Sequence, residues 1–364
     1  MKLAYCIKSL QPSGGTERVL TTKMNYLADY TDCSVYVILQ DEMGEPFFPL
    51  SPLVQKVSLN SKNRREYRVA LKSTLKTIHP DVTICVGGDE LSFINDIDDG
   101  SKKVLEFHYT KNFLVNFVKG IRRIRFKSLH LLKVWLLQKR LAYYVKKFDL
   151  VVGLTARDVK LWGSPSNMTY VYNPLSFRSS RKSTTKNKEI ISVGSFTPAK
   201  GMDLLVEAFG RIAPRYPDWK LSLYGSGQDY ELLKDLISKY HIEKQVHLYE
   251  PVLNIGEKMV ESSIYAFPSR SDGFGLVLIE AMECGLPCVA FDCECGPREI
   301  LTKDTGILVP PQDIDEFGRA LAMLMDSEEL RQQMGYAATK EVTRFYVENI
   351  MPRWIELFNQ LCKK

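Results

Sequence analysis

The 364-residue sequence lacks most of the features that mark membrane-spanning, secreted and dinucleotide-binding proteins. No apolar run reaches the roughly 18–20 residues that a membrane span requires. The N-terminal sequence MKLAYCIKSLQPSGG contains no long apolar region with an A-x-A-like cleavage site, so we interpret it as a first β-strand rather than a signal peptide. No G-x-G-x-x-G sequence opens either half of the chain, which disfavours a dehydrogenase.

Low-complexity segments are also missing, and the composition, with 45% hydrophobic and 25% charged residues, is that of a folded soluble protein. Cysteines do not form C-x2-C pairs, although four of the eight fall within twelve residues (Cys284, Cys288, Cys293 and Cys295). Their spacing and the absence of a nearby His disfavour zinc, so we expect buried thiols in a reducing cytosol and no metal site.

Acidic residues are missing from residues 111–147, whereas the same stretch has eleven Lys and Arg and many large apolar residues. A basic amphipathic helix is typical of proteins that bind an anionic membrane surface. The stretch is equally compatible with a helix that has its apolar face in the core and its charged face in solvent. Nucleic acid is a third candidate, but no nucleic-acid-binding module accompanies the charge, so we expect no such partner.

Strand-like and helix-like segments alternate along the chain, and at this length two domains of about 150–180 residues are expected. The polar, basic segment 176–188 is typical of an interdomain linker. We therefore predict an α/β protein with two doubly wound parallel-sheet domains, 1–175 and 189–346, facing across a cleft. The predicted strands lie in KLAYCI, SVYVIL, DVTICVGG, KVLEFH, DLVVGLT, EIISVGSF, KLSLYGSG, QVHLYEP, SIYAFPS and PCVAFD.

Three loops after predicted strands contain residues suited to an anionic ligand. In QPSGGTER, Gly14 and Gly15 precede a helix, where backbone N–H groups can bind a phosphate or sugar; a tight turn explains them equally well. In LYGSGQDYELL, Gly225 and Gly227 permit a close approach to a base or phosphate, or form a turn and nothing more. In VGSFTPAKGMDLL, Lys200 at a helix start would bind a diphosphate, although most lysines are merely solvated.

A fourth loop, SRSDGFGLVLIEAMECGLP, has two carboxylates eight residues apart, Asp272 and Glu280. Ser271 or Asp272 resembles an N-cap for a helix over 276–284, with free N–H groups at its start. Glu280 has apolar helix neighbours and is expected to be partly buried, so it needs hydrogen-bond partners. Ribose hydroxyls are suitable donors, and so are a structural Arg or backbone N–H groups.

These motifs, in this order, resemble those of the retaining nucleotide-sugar glycosyltransferases of family 4, which have the GT-B fold. The strongest match is PSRSDGFGLVLIEAMECGLPCVAFDCECGPREI followed by GILVPPQD; SGGTERV, KGMDLLVEAF, YGSGQDYELL and VHLYEP support it. The resemblance covers nearly the whole chain. It implies that the last helix, 347–364, returns to the N-terminal, acceptor-binding domain and packs there.

The resemblance also implies roles for individual residues. Glu280 would hold the donor ribose, Lys200 the diphosphate, and Asp272 would lie near the donor sugar, as would His108 after a strand of the first domain. We therefore expect His108, Asp272 and Lys200 to be the catalytic residues. The donor site would further include Gly15, Ser195, Gly225, Gly273, Phe274, Gly275 and Leu276, and the acceptor site Gly14 and Arg18.

Two positions depart from the family pattern. Asp272 is one methylene shorter than the usual Glu, and Ser195 stands where the family has an Arg five residues before the lysine. A serine cannot supply the charge of a guanidinium fork. Arg270 and Arg18 are the candidates for a replacement cation.

The resemblance implies sugar transfer with retention from a nucleoside diphosphate sugar, most commonly a UDP-sugar, to a glycan or lipid-linked acceptor in bacterial polysaccharide assembly. We expect neither cofactor nor metal, although Asp96-Ile97-Asp98 formally spells D-x-D. We expect the chain at the cytoplasmic face of the plasma membrane. An epimerase or phosphorylase of the same fold, and a catalytically weakened nucleotide-sugar-binding protein, remain as alternatives.

Overall fold

The computed structural model describes residues 1–41, 44–120 and 127–363, and the side chains of 117–129 are outside this description. Two compact units divide the chain. The first unit comprises Met1–Lys111, Lys133–Ser176 and Phe345–Lys364, and the second comprises Asn112–Leu132 and Phe177–Arg344.

The first half of the chain alternates strands with helices. Its elements are β1 (Lys2–Ile7), α1 (Gly15–Tyr30), β2 (Ser34–Leu39), β3 (Gln55–Ser58), α2 (Arg64–Ile78), β4 (Val82–Cys85), β5 (Lys102–Glu106), α3 (Phe113–Gly120), α4 (Lys127–Val145), β6 (Leu150–Gly153), α5 (Ala156–Leu161) and β7 (Met168–Tyr170).

The strands of this half form one parallel sheet in the order β3-β2-β1-β4-β5-β6-β7. Alternate residues of β1 enter cores on opposite faces of the sheet: Leu3 and Tyr5 on one face, Ala4 and Cys6 on the other. This two-sided burial explains why the strand is apolar along its length.

The second half repeats the alternation and ends in a helix that belongs to the first unit. Its elements are β8 (Glu189–Val193), α6 (Met202–Ile212), β9 (Lys220–Tyr224), α7 (Tyr230–Lys239), β10 (Val246–Tyr249), α8 (Ile255–Glu261), β11 (Ile264–Phe267), α9 (Leu276–Glu283), β12 (Cys288–Phe291), α10 (Pro297–Ile300), β13 (Gly306–Val309), α11 (Ile314–Asp326), α12 (Glu328–Glu341) and α13 (Val347–Cys362).

The second sheet is also parallel, in the order β10-β9-β8-β11-β12-β13. The chain runs outward from β8 through β9 to β10, and then crosses to β11 on the other side of β8. The neighbours β8 and β11 therefore form the topological switch point, and in doubly wound sheets the loops at their carboxyl ends bind ligands. Both sheets confirm the predicted α/β class.

The last helix packs on the first sheet through its apolar stripe. Met351, Trp354 and Phe358 of α13 are almost fully buried in the same core as Leu3 and Tyr5 of β1. The 3.6-residue period of the helix places these side chains on one face. Helix α13 thus completes the unit that begins at the N-terminus.

The polar segment 176–188 contains neither helix nor strand and is fastened to the second unit. The backbone N–H of Ser179 and the ammonium of Lys182 donate to the Glu283 carboxylate, at 3.0 and 2.6 Å. The ranges 1–175 and 189–346 stay a prediction of the domain limits.

No helix within 1–41, 44–120 and 127–363 combines the length and apolarity needed to cross a bilayer.

Candidate functional site

The loops after β8 and β11 are joined at the switch point of the second sheet. The backbone N–H groups of Arg270 and Ser271 both donate to the carbonyl of Ala199, at 2.8 and 3.2 Å. Because the strands are adjacent and parallel, their carboxyl ends deliver the two loops to the same edge. This contact places Lys200 of one loop beside Asp272 of the other.

Gly201 makes this close approach sterically feasible. Its φ of +67° lies in the left-handed region, and a Cβ atom at this position would collide with the carbonyl oxygen of Pro268. Only glycine meets both requirements without strain. The glycine that follows Lys200 is therefore needed to bring the lysine to the end of β11.

Lys200 and Asp272 form an ion pair. The Lys200 Nζ atom lies 2.5 Å from Asp272 Oδ2, with the lysine side chain 31% and the aspartate side chain 13% exposed. Burial works to lower the pKa of Lys200, but the carboxylate of Asp272 outweighs it and the net shift is upward. Lys200 therefore carries a positive charge at neutral pH, close to the sheet edge where an anionic ligand would bind.

The second carboxylate oxygen of Asp272 holds the glycine turn. Asp272 Oδ1 accepts hydrogen bonds from the backbone N–H groups of Phe274 and Gly275, at 3.1 and 2.9 Å. The expectation that Ser271 or Asp272 caps the helix was wrong: the N-cap of α9 is Gly275, in a left-handed conformation with φ +99°. Two amides that we expected to be free for a ligand are thus occupied by Asp272.

The remaining residues of this loop surround the turn. Gly273 lies between Asp272 and the buried Phe274, and Leu276 is the first residue of α9. The carbonyl of Phe274 packs so closely on Gly296 that a Cβ there would collide with it. The loop after β12 therefore packs directly against the backbone of the loop after β11.

Glu280 is buried on α9, with only 2% of its surface exposed. It lies one turn into the helix, close enough to the Tyr265 side chain of β11 to help raise the pKa of that phenol, which burial raises most. The apolar neighbours of Glu280 in the sequence predicted this burial correctly. A buried carboxylate requires polar partners.

Ser195 is exposed on the loop after β8, and its hydroxyl lies 3.3 Å from the hydroxyl of Thr197. Arg270, the nearby candidate for a replacement cation, makes a bidentate pair with Asp203, with both N–O distances 2.7 Å, and also donates to the carbonyl of Pro198. This geometry ties the guanidinium to the start of α6. The charge of Arg270 is therefore neutralised within the protein.

Gly225 at the end of β9 packs directly against the neighbouring loop. A Cβ atom at Gly225 would collide with the carbonyl oxygen of Gly194, and one at Gly227 with the backbone of Phe196. The turn thus lies on the loop that contains Ser195. Close packing against the backbone of the neighbouring loop is therefore a sufficient reason for glycine at both positions.

A polar cluster that the sequence did not suggest borders the same loops. The side-chain amides of Asn112 and Asn116 donate to the two carboxylate oxygens of Glu294, at 2.5 and 3.0 Å, and Asn116 also lies 3.4 Å from the Ser271 hydroxyl. Asn112 and Asn116 are separated from Glu294 by more than 170 residues along the chain. No local sequence signal could have indicated the contact.

The predicted residues of the first half lie in the other unit. Gly14 is the N-cap of α1 and Gly15 its first residue. Arg18, one turn further, has its Nη1 atom 3.5 Å from the Ser176 hydroxyl and its guanidinium 5.2 Å from the centre of the Phe48 ring. Gly14, Gly15 and Arg18 thus share the helix start at the carboxyl end of β1.

His108 follows β5 and contacts a buried ion pair. Its Nε2 atom lies 3.2 Å from Oε1 of Glu106, and Oε2 of Glu106 lies 2.6 Å from the ammonium of Lys23 on α1. Burial works to raise the pKa of Glu106, but Lys23 and His108 outweigh it and lower it to about 2. Burial lowers the pKa of Lys23 to about 8 despite Glu106. Both partners are therefore charged at neutral pH.

The four clustered cysteines are buried, as the sequence predicted. The thiols of Cys288 and Cys293 donate to backbone carbonyls, and burial raises the pKa of each. Among the described residues, no group of three His, Cys, Asp or Glu side chains is arranged to hold a metal ion. Asp96 of the D-x-D sequence lies near Arg68 and Lys147 instead, at 3.5 and 3.9 Å.

The basic stretch 111–147 contains α3 and α4, and its residues 121–126 lie outside the described part of the chain. Aromatic rings on α4 lie beside basic groups: the ammonium of Lys139 is 5.4 Å from the Trp135 ring centre and that of Lys147 is 4.8 Å from Tyr143. Among the described side chains of α4, those from residue 130 onward, the apolar ones that are at least half accessible are Leu132, Trp135, Leu136, Leu137 and Tyr143.

Two doubly wound parallel-sheet domains with the Lys200–Asp272 ion pair at the switch point of the second define a protein of the GT-B fold. The chain is similar over 98% of its length to 99% of S. aureus TarM, crystallised with UDP and α-GlcNAc-glycerol, at a TM-score of 0.78 and 14% identity. Residues 176–341 match the family model of the glycosyl transferases group 1.

Two curated relatives extend the match to the whole chain. An uncharacterised glycosyltransferase of Haemophilus influenzae is 30% identical over 97% of this chain and 98% of its own length. The amylovoran biosynthesis glycosyltransferase AmsD of Erwinia amylovora is 27% identical over 98% of this chain and 99% of its own length. The chain therefore belongs to the glycosyltransferases, and its residues 176–341 carry the match to the group 1 model.

Proposed function

We propose that this glycosyltransferase is a retaining enzyme of family 4 that moves a sugar from a UDP-sugar to a hydroxyl of a glycan or lipid-linked acceptor in bacterial polysaccharide assembly. The observation that carries the proposal is the Lys200–Asp272 pair at the switch point. The similarity to AmsD, an enzyme of amylovoran biosynthesis, and to TarM, which was crystallised with UDP, supports the polysaccharide and the UDP parts of the proposal.

In the proposed complex the diphosphate of the donor replaces Asp272 as a partner of Lys200. The ammonium then stabilises the negative charge that develops on the leaving phosphate, aided by the N-terminus of α9. Asp272, released from the ion pair, accepts hydrogen bonds from the donor sugar, and Glu280 accepts from the ribose. The leaving phosphate takes the proton of the acceptor hydroxyl, so neither a metal nor another cofactor is required.

The acceptor is proposed to approach the first unit near Gly14, Gly15 and Arg18, with His108 close to the reacting sugar. The exposed apolar and basic side chains of α4 support attachment to the cytoplasmic face of the plasma membrane. Aromatic and lysine side chains on one helix suit the boundary between anionic headgroups and acyl chains. A lipid-linked acceptor would be presented at that surface.

The test is a panel of nucleotide sugars incubated with the purified protein, with release of the nucleoside diphosphate as the readout. Release of UDP from one UDP-sugar, faster with lipid-linked glycan present, is the expected result. Release from a different nucleotide alone would refute the choice of base, and product of inverted anomeric configuration would refute retention.

A second candidate, a nucleotide-sugar-binding protein with weakened catalysis, is favoured by the exposed Ser195 and the bonding of Arg270 to Asp203. In that case the protein binds UDP without turning over any donor. The variant Ser195→Arg would then gain UDP release, because it restores a guanidinium beside the diphosphate. An active wild-type protein excludes this alternative.

A further inference from the structure

A chain of buried polar groups lies behind His108 in the first unit. Lys23, Glu106 and His108 are all at least nine-tenths buried and come from two elements, α1 and the end of β5. Their polar atoms follow each other at 2.6 Å, from Lys23 Nζ to Glu106 Oε2, and 3.2 Å, from Glu106 Oε1 to His108 Nε2. One carboxylate thus faces a lysine with one oxygen and a histidine with the other.

Helix α13 contributes Trp354, whose ring packs against Lys23 at the end of this chain of groups. The ammonium of Lys23 lies 3.3 Å from the centre of the Trp354 ring, a position in which the aromatic face attracts the cation. The lysine is therefore held between an indole and a carboxylate, with 1% of its side chain exposed. The positive charge of Lys23 in turn keeps Glu106 ionised beside His108.

The facing atoms of Glu106 and His108 depend on each other. Oε1 of Glu106 and Nε2 of His108 are fully buried and face each other at 3.2 Å; their present angle falls short of a hydrogen bond, and among the described residues neither atom has a hydrogen-bond partner elsewhere. The hydroxyl of Tyr5 on β1 is also buried; burial raises the pKa of this phenol most, and the nearby carboxylate of Glu106 raises it further. An ionised carboxylate only accepts hydrogen bonds, so the imidazole atom that faces it must be the donor.

We propose that Glu106, held ionised by Lys23 and Trp354, is a positioning residue that keeps the proton of His108 on Nε2 and leaves Nδ1 as a hydrogen-bond acceptor for a sugar hydroxyl. This inference rests on the proposed function, in which His108 lies close to the reacting sugar. The partner of one imidazole nitrogen fixes the state of the other. Glu106 is not itself in contact with the substrate.

The variant Glu106→Gln tests the proposal because it should reverse the tautomer. The carboxamide oxygen stays with the ammonium of Lys23, so the amide NH2 faces Nε2 of His108. Nε2 must then accept, and the proton moves to Nδ1, which becomes a donor towards the sugar. We expect transfer to fall on the order of 100-fold while UDP affinity is unchanged, since the donor nucleotide binds in the other unit.

Glu90→Gln is the matched control. Glu90 is equally buried in the first unit, and its carboxylate accepts from the Cys85 thiol and the Gly88 N–H, both at 3.1 Å, instead of from a histidine. The same change from carboxyl to carboxamide there should leave both the tautomer and the transfer rate unchanged. An equal loss of activity in both variants would refute a specific role for Glu106.

Nitrogen NMR of the protein with labelled histidines, at about pH 7.5, shows which imidazole nitrogen of His108 carries the proton. This measurement does not depend on enzyme activity. The chain has five histidines, and His108→Gln assigns the signal. A proton on Nε2 in the wild type that moves to Nδ1 in Glu106→Gln supports the proposal. A wild-type ring protonated on Nδ1, or on both nitrogens, overturns it even if the variant does not fold. If the wild-type protein turns over no donor sugar, the proposed function is refuted, and the NMR result still decides the proposal on the tautomer.

Discussion

The ammonium of Lys200 lies 2.5 Å from the carboxylate of Asp272, and the same carboxylate accepts from the backbone N–H groups of Phe274 and Gly275. Asp272 is therefore the link between the loop after β8, the loop after β11 and the start of α9. A diphosphate that reaches this edge competes with Asp272 for both the lysine and the amides. The first two predictions follow from this competition.

Replacing Lys200 with Met should weaken UDP binding by roughly 10–100-fold, because a hydrogen bond to a charged group contributes about 1.5–3 kcal/mol. Isothermal titration calorimetry with UDP measures the change. Lys188→Met is the control, since the Lys188 side chain forms an exposed ion pair with Asp218 in the same unit. Unchanged UDP affinity in Lys200→Met would contradict the assignment of Lys200 to the diphosphate.

The substitution Asp272→Asn should tighten UDP binding by roughly 3–10-fold while it abolishes sugar transfer. The asparagine oxygen can still hold the glycine turn, but the negative charge that competes with the diphosphate is gone. Calorimetry with UDP and UDP release from the active donor measure the two effects separately. Weaker UDP binding in Asp272→Asn, with the fold intact, would show that the carboxylate does not compete with the ligand.

Substituting Glu280 with Gln or Ala should abolish detectable donor binding, because the ribose loses its carboxylate acceptor. Glu283→Gln is the matched control: Glu283 is on the same helix and equally buried, but it binds Ser179 and Lys182 of the segment 176–188. We expect Glu283→Gln to lower stability and to leave the calorimetric affinity for UDP unchanged. Loss of UDP affinity in Glu283→Gln with unchanged affinity in the Glu280 variants would assign the ribose to Glu283 instead.

The double variant Trp135→Ser/Lys139→Ser should lose most of its binding to anionic vesicles, because it removes an exposed aromatic ring and its neighbouring ammonium from α4. Co-sedimentation with phosphatidylglycerol-containing vesicles at low salt measures this. The control, Tyr336→Ser/Lys340→Ser, removes a similar pair from α12, where the ring is exposed and the ammonium lies 5.0 Å from its centre. Absence of wild-type binding at low salt would refute membrane attachment.

The buried carboxylates Glu106 and Glu90 should affect the pH dependence of stability in opposite directions. The folded-state pKa of Glu106 is about 2, below the usual 4.5, so the unfolded chain binds more protons between these values. Its stabilising effect is complete above about pH 4.5 and is lost as the pH falls towards 2. The difference in unfolding free energy between wild type and Glu106→Gln should therefore shrink on acidification.

Burial raises the pKa of Glu90, so the folded chain binds more protons than the unfolded chain above pH 4.5. The wild type should lose stability relative to Glu90→Gln as the pH rises through the folded-state pKa. Denaturant titrations of the three proteins at several pH values, followed by tryptophan fluorescence, measure both trends. Parallel pH profiles for the two variants would contradict the opposite shifts.

The amino-acid sequence determined the fold class and most of the strands. Segments such as KLAYCI and PCVAFD, apolar over most of their length, are typical of strands buried on both faces, and helices with a 3.6-residue period cover them. Strands β3, β7 and β13 were not among the predicted strands; each lies at the edge of its sheet and is only partly buried, so it lacks the fully buried pattern of a central strand. The sequence also indicated the burial of Glu280, since its neighbours on α9 are apolar.

Only the tertiary structure decided which side chains meet. Lys200 and Asp272 are 72 residues apart, and their contact depends on the adjacency of β8 and β11, which strand order rather than local sequence fixes. The binding of Arg270 to Asp203 and of Glu106 to Lys23 likewise joins loops and helices that are distant along the chain. Local residue patterns specify helices, strands and turns, whereas the charge of each site results from side chains that the parallel sheets bring to a common edge.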